Sequence, residues 1–412
     1  MERYNEYKDS GTDWINKIPS DWELLKLKYL SRMQSGNSIT GDKINDVDEY
    51  PVYGGNGFRG FTDDYTNDGE YILIGRQGAL CGNVRIVNGK FWASEHAVVV
   101  YQKDNVNMHW YRYLLEAMNL NQYSTSAAQP GLSVEQIINK IAFLPKYNTQ
   151  KEIASYLDRK IAKIDTLISD KEKLIELLKE KRQSIISEAV TKGLDPTVTM
   201  HDSGIRWIGQ IPGHWNVKRI KFVFEIVKRL YYQEDRDVLS ITQKGIRIRD
   251  RESNEGQLAQ SYAGYQLVHI NDFAMNSMDL LTGFVDCSPY EGVTSPDYRV
   301  FRFIPGRVQS HAYYKYIFQM LYTSKIFYGF GQGVSTLGRW RLQTDTFMNF
   351  WIPVPPLDEQ EEIAEYVIKQ SEKIDMMIDI TQKQIDLLKE YRQSIISEAV
   401  TGKVKVKDGG IA

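Results

Sequence analysis

The chain repeats itself, and that duplication limits its fold more than any other feature. Asp9-Ser10-Gly11, Trp14-Ile15, Ile18-Pro19 and Trp22 recur 193 positions later as Asp202-Ser203-Gly204, Trp207-Ile208, Ile211-Pro212 and Trp215. Gln150, Glu152-Ile153-Ala154 and Tyr156 return 210 positions on as Gln360, Glu362-Ile363-Ala364 and Tyr366. The segment from Arg182 to Thr191 is repeated without change from Arg392 to Thr401, whereas residues 30–130 and 222–335 have almost nothing in common. Solenoid repeats are about 20 to 50 residues long, so copies this far apart are domains rather than solenoid units. The plan of variable part, shared helix, variable part, shared helix predicts a pseudo-two-fold molecule. Its shared segments make one set of structural contacts twice, and its divergent segments face something that differs from site to site.

The shared segments carry helical signals. Pro145 followed by Thr149-x-x-Glu152, and Pro355-Pro356 followed by Asp358-x-x-Glu361, read as capped helix starts. Behind the first start, Ile153, Leu157, Ile161, Ile164, Ile168, Ile175, Leu178, Ile185 and Ala189 hold one apolar stripe. Behind the second run Ile363, Val367, Ile374, Ile378, Ile385, Leu388, Ile395 and Ala399. Two stripe positions are polar in both copies, Lys171 with Thr381 and Arg182 with Arg392, which costs seam stability but fixes register. Gly193 and Gly402 are placed to end the helices. A helix of about 40 residues is roughly 60 Å long and cannot hide inside a small domain. The two stripes are expected to pack on each other, antiparallel, so that the domains lie at opposite ends.

The variable parts read as compact, strand-rich domains. In the first, Gly54-Gly55-Asn56-Gly57-Phe58-Arg59-Gly60 and Gly75-Arg76-Gln77-Gly78 put Asn56, Arg59, Arg76 and Gln77 on tight turns. Amide and guanidinium groups of this kind pair bidentately with adenine or guanine edges. Ser133-x-x-Gln136 marks a short capped helix near the end of that domain. In the second, the stretch from Thr242 to Arg249 alternates basic with apolar residues and is expected to be a strand with Gln243, Lys244, Arg247 and Arg249 among its polar positions. Arg339-Trp340-Arg341 adds a further basic and aromatic point, with Arg339 and Arg341 as candidates. The net charge of −2 conceals a regional difference. Residues 1–147 carry 15 basic and 18 acidic side chains, residues 201–355 carry 18 and 14.

Other chemistries find no footing. No run of about 18 apolar residues is present and the first ten residues are polar, so neither a membrane span nor a signal peptide is expected and the chain is placed in the cytoplasm. Cys81 and Cys287 stand far apart and without zinc-ligand spacing, and read as two reduced, partly buried thiols; no metal site is expected. Neither a phosphate-binding G-x-x-x-x-G-K-[ST] loop nor an H-E-x-x-H site occurs, and no Asn- or Asp-Pro-Pro-aromatic methyltransferase motif is found. Pro296-Asp297 lacks the following acidic-x-Lys of a common nuclease centre, and Gly329-x-Gly331-x-Gly333 lacks the context of a nucleotide loop. No catalytic residues are assigned.

Three features carry a family resemblance: the paired Trp14-Ile15-x-x-Ile18-Pro19-x-x-Trp22 motif, Pro355-Pro356-Leu357-x-Glu359-Gln360-x-x-Ile363-Ala364, and the twice-written Arg-Gln-Ser-Ile-Ile-Ser-Glu-Ala-Val-Thr. Together they make the chain resemble the specificity subunit of type I restriction-modification systems along essentially its whole length. The first helix start departs from that pattern, reading Pro145-Lys146-Tyr147-Asn148. The resemblance implies an α+β fold: two strand-rich α/β target-recognition domains separated by two long helices packed as an antiparallel coiled coil. The division expected is a first recognition domain over 1–147, a helix over 148–192, a linker over 193–200, a second recognition domain over 201–356, a second helix over 357–401 and a tail over 402–412. It further implies that each variable domain reads one half of a bipartite site on double-stranded DNA and that the helices set the spacer. Partners would be two methyltransferase (modification) subunits and the restriction (nuclease-translocase) subunits. S-adenosylmethionine, ATP and Mg2+ would sit on those partners, and no cofactor on this chain. A non-catalytic protein-interaction scaffold with two variable binding domains is the alternative that the residues themselves leave open.

Overall fold

The computed structural model describes residues 2–12, 14–78, 80–124, 131–250, 261–333, 340–407 and 410–411. Two long helices, Tyr147–Lys192 and Leu357–Val400, dominate it. Two compact units form, one from Met1–Glu172 with Gln382–Ala412, the other from Lys173–Thr381. The units do not follow the sequential division into domains and helices. Each takes one variable domain, half of one long helix and the opposite half of the other.

Within each unit the helix halves pack antiparallel. In the first unit Arg392 on the second helix reaches Asp165 on the first at 3.0 Å and also pairs with Glu116, while Lys171 donates to Gln384 at 2.6 Å. In the second unit Arg182 reaches Asp375 at 2.7 Å. Asp375 is the copy of Asp165 and Arg392 the copy of Arg182, so the same ion pair is made once in each unit with the roles of the helices exchanged. The apolar stripe is buried beneath these polar contacts. Leu157, Ile164, Ile175, Leu178, Val367, Ile374, Ile385 and Ile395 are buried, and Ile168, Ile185, Ile378 and Leu388 are half-buried. Thr381 satisfies its hydroxyl on the Met377 carbonyl of its own helix.

Both helices start earlier than the capping-box spacing suggests, at Tyr147 and Leu357, which places Thr149 and Asp358 inside the first turn. The reason is a buried glutamine in each copy. The Gln150 side chain donates to the Pro145 carbonyl at 2.9 Å and accepts the Asn107 N–H at 2.8 Å; Gln360 donates to the Pro355 carbonyl at 2.9 Å and accepts the Ser310 N–H at 3.0 Å. Asn107 and Ser310 are themselves the N-caps of Met108–Ala117 and His311–Thr323. One amide thus ties two helix starts together.

The Trp and Pro repeats are explained at the other end of each helix. Gly193 and Gly402 follow the last turns at φ +77° and +70°, a conformation favouring glycine. A Cβ on Gly193 would lie 3.2 Å from Trp215 and 3.6 Å from Pro212; one on Gly402 would lie 2.5 Å from Pro19 and 3.1 Å from Trp22. The entry motif of each copy therefore closes on the helix end of the other. Trp14 stacks on Phe143 and Trp207 on Phe350 in the same way, with ring centroids at 5.4 and 5.6 Å. The segment after the second helix is part of the first unit: Val406 is buried in its core and the Lys405 N–H donates to Glu2.

The frame around each variable part is also shared. Glu23–Lys26 pairs antiparallel with Ile141–Leu144, and Asn216–Arg219 with Trp351–Val354. Inside the frame the two differ. The first unit holds a six-stranded sheet in the order Ser31–Ser35, Ala97–Gln102, Asn67–Gly75, Val84–Ala93, Tyr50–Gly54, Gly57–Thr62. Ile72, Ile74, Val98 and Val100 face Met108–Ala117, and Leu73 and Val99 face the smaller core of Phe91, as the period of two requires. The second unit has a four-stranded sheet (Phe224–Val227, Arg299–Phe303, Phe273–Met275, Val285–Cys287) and a three-stranded one (Leu230–Tyr231, Tyr265–Val268, Gly292–Thr294). Phe224, Phe273 and Phe301 pack edge and face on one another and against Phe318 of the helix His311–Thr323. The helix Val134–Ile138 carries the capping box of Ser133 with Gln136.

Two consequences are measurable. Gln150→Leu and Gln360→Leu each leave a buried carbonyl unpaired, at about 1–3 kcal/mol, and free a part-buried N–H, so both variants lose stability in denaturant unfolding by similar amounts. Arg182 and Asp375 are 37% and 57% exposed, so Arg182→Ala costs under about 1 kcal/mol. Arg392, 20% exposed and facing two carboxylates, costs more when replaced by alanine in the same assay.

Candidate nucleic-acid interface

In the first unit the two glycine-rich turns are built against each other. The Asn83 side chain donates to the Gly55 carbonyl at 2.9 Å, the Leu80 N–H donates to the Asn56 side chain at 3.3 Å, and the Gly82 N–H closes on the Gly75 carbonyl at 2.7 Å. A Cβ on Gly55 would fall 2.5 Å from the Gln77 carbonyl, and one on Gly75 would fall 2.1 Å from the Gly55 carbonyl. Only glycine permits backbones this close. The result is one surface on which Asn56, Arg59, Gln77 and Leu80 are exposed. Arg59 lies across Gly54 and Arg85 across Gly57, where Arg85 also donates to the Asn83 side-chain Oδ1 at 3.3 Å. Asn83, Arg85 and the exposed Leu80 are additions that sequence reasoning missed; for Asn83 and Arg85 a further polar residue a few positions beyond the Gly75–Gly78 turn was the available signal.

Arg76 behaves differently from its neighbour. Its guanidinium donates to the Ser35 hydroxyl at 3.0 Å and reaches the Glu95 carbonyl at 3.5 Å, while its backbone pairs with His96 and Leu132. It anchors the turn to the sheet end, and Gln77 is the residue presented to solvent.

In the second unit the stretch from Thr242 to Arg249 is not one strand. Leu239–Thr242 and Gly245–Ile248 form a hairpin with Gln243 and Lys244 at its tip. Gly245, at φ +96°, takes the turn, and the Thr242 hydroxyl donates to the Gly245 carbonyl at 2.9 Å. Ile246 is buried, Arg247 and Ile248 are exposed, and Arg249 is half-buried with its N–H on Val238. Asp286 holds the base of the hairpin: it accepts the Ile246 N–H at 3.3 Å and the Gln319 amide at 3.1 Å. Burial lifts its carboxyl above the ordinary range, against the opposing pull of Lys315 and of these hydrogen bonds. The tip borders a cleft of about 710 Å3 that Arg182, Lys315 and Lys325 also line.

Arg341 lines a separate, smaller cleft and sends its Nε–H to the Met278 sulfur at 2.8 Å. Arg339 lies outside the described residues. Thus the hairpin tip and Arg341 border different clefts.

The two thiols sit where burial disfavours the thiolate. Burial pushes Cys287 up to about 12 and raises Cys81, so both stay protonated. Among the described residues no group of three or more His, Cys, Asp or Glu side chains could hold a metal ion, and no helix is long and apolar enough to cross a membrane.

Comparison with known proteins places this geometry. The family described as "Type I restriction modification DNA specificity domain" matches residues 19–177 and again 212–390. Over 170 residues the chain is 41% identical to the type I restriction enzyme EcoprrI specificity subunit of Escherichia coli, a stretch covering 40% of this chain and 41% of that one. It is 23% identical over 437 residues, 95% of each chain, to the type I restriction enzyme MjaVIII specificity subunit of Methanocaldococcus jannaschii. A solved structure from work on complex assembly and conformational transition of the type I R-M system superposes with a TM-score of 0.62 over 95% of this chain and 100% of that one; at 13% identity the likeness is one of fold. With the family's domain matched twice, once in each copy of the internal repeat, the chain belongs to the type I restriction-modification DNA specificity family.

Proposed function

We propose that this chain is the non-catalytic specificity subunit of a cytoplasmic type I restriction-modification complex, in which each variable domain reads one half of a bipartite site on double-stranded DNA. The paired helices set the unread spacer and dock two methyltransferase subunits, and restriction subunits join that assembly. S-adenosylmethionine, ATP and Mg2+ act on those partners. The observation that carries this reading is the division of labour within each unit. Largely the same residues make the helix pair, the glutamine tie and the Trp–Pro closure twice, while the exposed turns differ completely. A surface that must be the same twice suits two copies of one partner, and a surface that must differ suits two unrelated half-sites.

In the first domain, Asn56 and Gln77 offer amides for adenine edges and Arg59 and Arg85 guanidinium groups for guanine or phosphate. Arg76 contributes by holding the turn. In the second domain Gln243, Lys244, Arg247, Arg249 and Arg341 supply the corresponding groups, with Arg339 beside them in sequence.

Two experiments test the reading. Inserting one heptad in the middle of each long helix lengthens the rod by about 10 Å at 1.5 Å per residue, or about three base pairs. Genome-wide mapping of methylated adenines should then show unchanged half-sites with a longer spacer; an unchanged spacer would remove the ruler. Gln77→Ala should cost about 1–3 kcal/mol of discrimination at one base pair of the first half-site and leave the second half-site untouched, read by competition binding with single-base variants.

A further inference from the structure

Arg299 is the most deeply buried cation in the second unit, 7% exposed, and it has no carboxylate partner among the described residues. Its guanidinium donates to the Leu342 carbonyl at 2.9 Å and the Thr344 hydroxyl at 3.3 Å, touches the Met275 sulfur, and lies 4.6 Å from the centre of the Phe347 ring. An uncompensated buried charge is costly, so its retention needs a reason. Holding carbonyls is not sufficient reason. Next to it the buried amide of Gln266 gathers three of them, from Ser295, Pro296 and Tyr298, at 2.6–3.1 Å without any charge.

Arg299 lines a polar cleft of about 310 Å3 together with Lys228 and Arg341, two exposed cations that likewise make no ion pair among the described residues. One carboxylate, Asp297, shares the rim. Burial pulls the Arg299 guanidinium down to about 10, against the opposing pull of Tyr322, and the neighbouring Arg341 charge adds a smaller push in the same direction as burial. The cleft therefore has the walls of an anion site: a buried, hydrogen-bonded guanidinium, two exposed cations at its mouth, and a hydroxyl on Thr344.

We propose that this cleft seats a single phosphate group of the DNA backbone. The proposal rests on the DNA-specificity reading and deepens it, because a phosphate contact fixes register and orientation without reading sequence. Arg299 is prepositioned by Leu342 and Thr344 and supplies a short-range donor; Lys228 and Arg341 close over the phosphate as it enters. The Arg341 contact to Met278 is the unliganded alternative that the phosphate replaces.

The test uses the full chain assembled with its methyltransferase subunits and duplexes carrying one uncharged methylphosphonate at a time across the second half-site. In the unaltered complex, one position should weaken binding about tenfold, as loss of a charge-assisted hydrogen bond does. The Lys228→Ala, Arg341→Ala double variant should bind the normal duplex about as weakly and become indifferent to methylphosphonate at that position, and its log–log salt dependence should be shallower by about one. Arg299→Lys, with folding checked by thermal unfolding, should shift the response at the same position and no other. An unchanged methylphosphonate pattern and salt slope in the double variant overturns the proposal while leaving the DNA-specificity reading intact. Inorganic phosphate that raises the unfolding temperature of the chain relative to chloride at equal ionic strength, with the DNA pattern unaltered by the substitutions, assigns the cleft to free anion and overturns the backbone assignment. Absence of sequence-specific binding by the assembled complex defeats the parent reading, and the backbone assignment with it.

Discussion

The structure depends on each long helix burying its stripe against the other. A helix of 46 residues reaches beyond any single small domain, and an isolated one would leave Leu157, Ile164, Ile175 and Leu178 to water. Burying each such side chain is worth about 1.5–3 kcal/mol, so the seam is the largest single gain open to the shared sequence. Because the halves pack antiparallel, the start of one helix and the end of the other always share a unit. That geometry is why Pro19 and Trp22 close on Gly402, while Pro212 and Trp215 close on Gly193. Neither repeat is structurally complete in itself; each lends its helix end to the other.

The frame that results is indifferent to what it holds. Glu23–Lys26 with Ile141–Leu144, and Asn216–Arg219 with Trp351–Val354, bring the two ends of each variable part together as antiparallel neighbours. Gln150 and Gln360 then fix the first helix inside that part through its N-cap. Any insert whose ends meet at that spacing fits the frame, since the cost of closing a longer loop rises only slowly with its length. One copy accordingly holds a single six-stranded sheet and the other two smaller sheets around a cluster of phenylalanines, with no change to the shared contacts.

What could be read from the residues follows the same division. The helices were legible because a stripe repeating at helical spacing over 37 residues, Ile153 to Ala189 and Ile363 to Ala399, has no other reading, and the duplication independently marked its limits. The capping patterns alone put the starts late, because the Gln150 and Gln360 side chains act on carbonyls five residues back, a tertiary arrangement those patterns do not encode; the expected spans of 148–192 and 357–401 nevertheless lie within one residue of the helices observed. The hairpin at Gln243 and Lys244 was hidden by an alternation of basic and apolar residues that mimics a continuous strand, although Lys244-Gly245 was a turn signal within it. Arg76 looked equivalent to Gln77 because its tether, Ser35, stands 41 positions away. The sheets of the second domain were illegible for a plainer reason: strands of two to five residues give too few alternations to register a period.

The electrostatic difference between the units also traces to single positions in the common frame. Counted from the N-caps Asn107 and Ser310, Glu116 and Gln319 occupy the same place, as do Arg112 and Lys315. In the first unit Glu116 pairs with both Arg112 and Arg392, so the cations near the helix seam are neutralised where they stand. In the second, Gln319 cannot do this; its amide turns to Asp286, and Arg182 is left with Asp375 while Lys315 faces the cleft beside Lys244. The two domains thus present different chemistry to an incoming duplex, amide-rich turns in one and a cation-lined cleft in the other. A net charge of −2 says nothing of this, because steering and contact follow local fields rather than the total. One exchanged carboxylate, Glu116 in the first unit against Gln319 in the second, is enough to change which cations near the helix seam are paired.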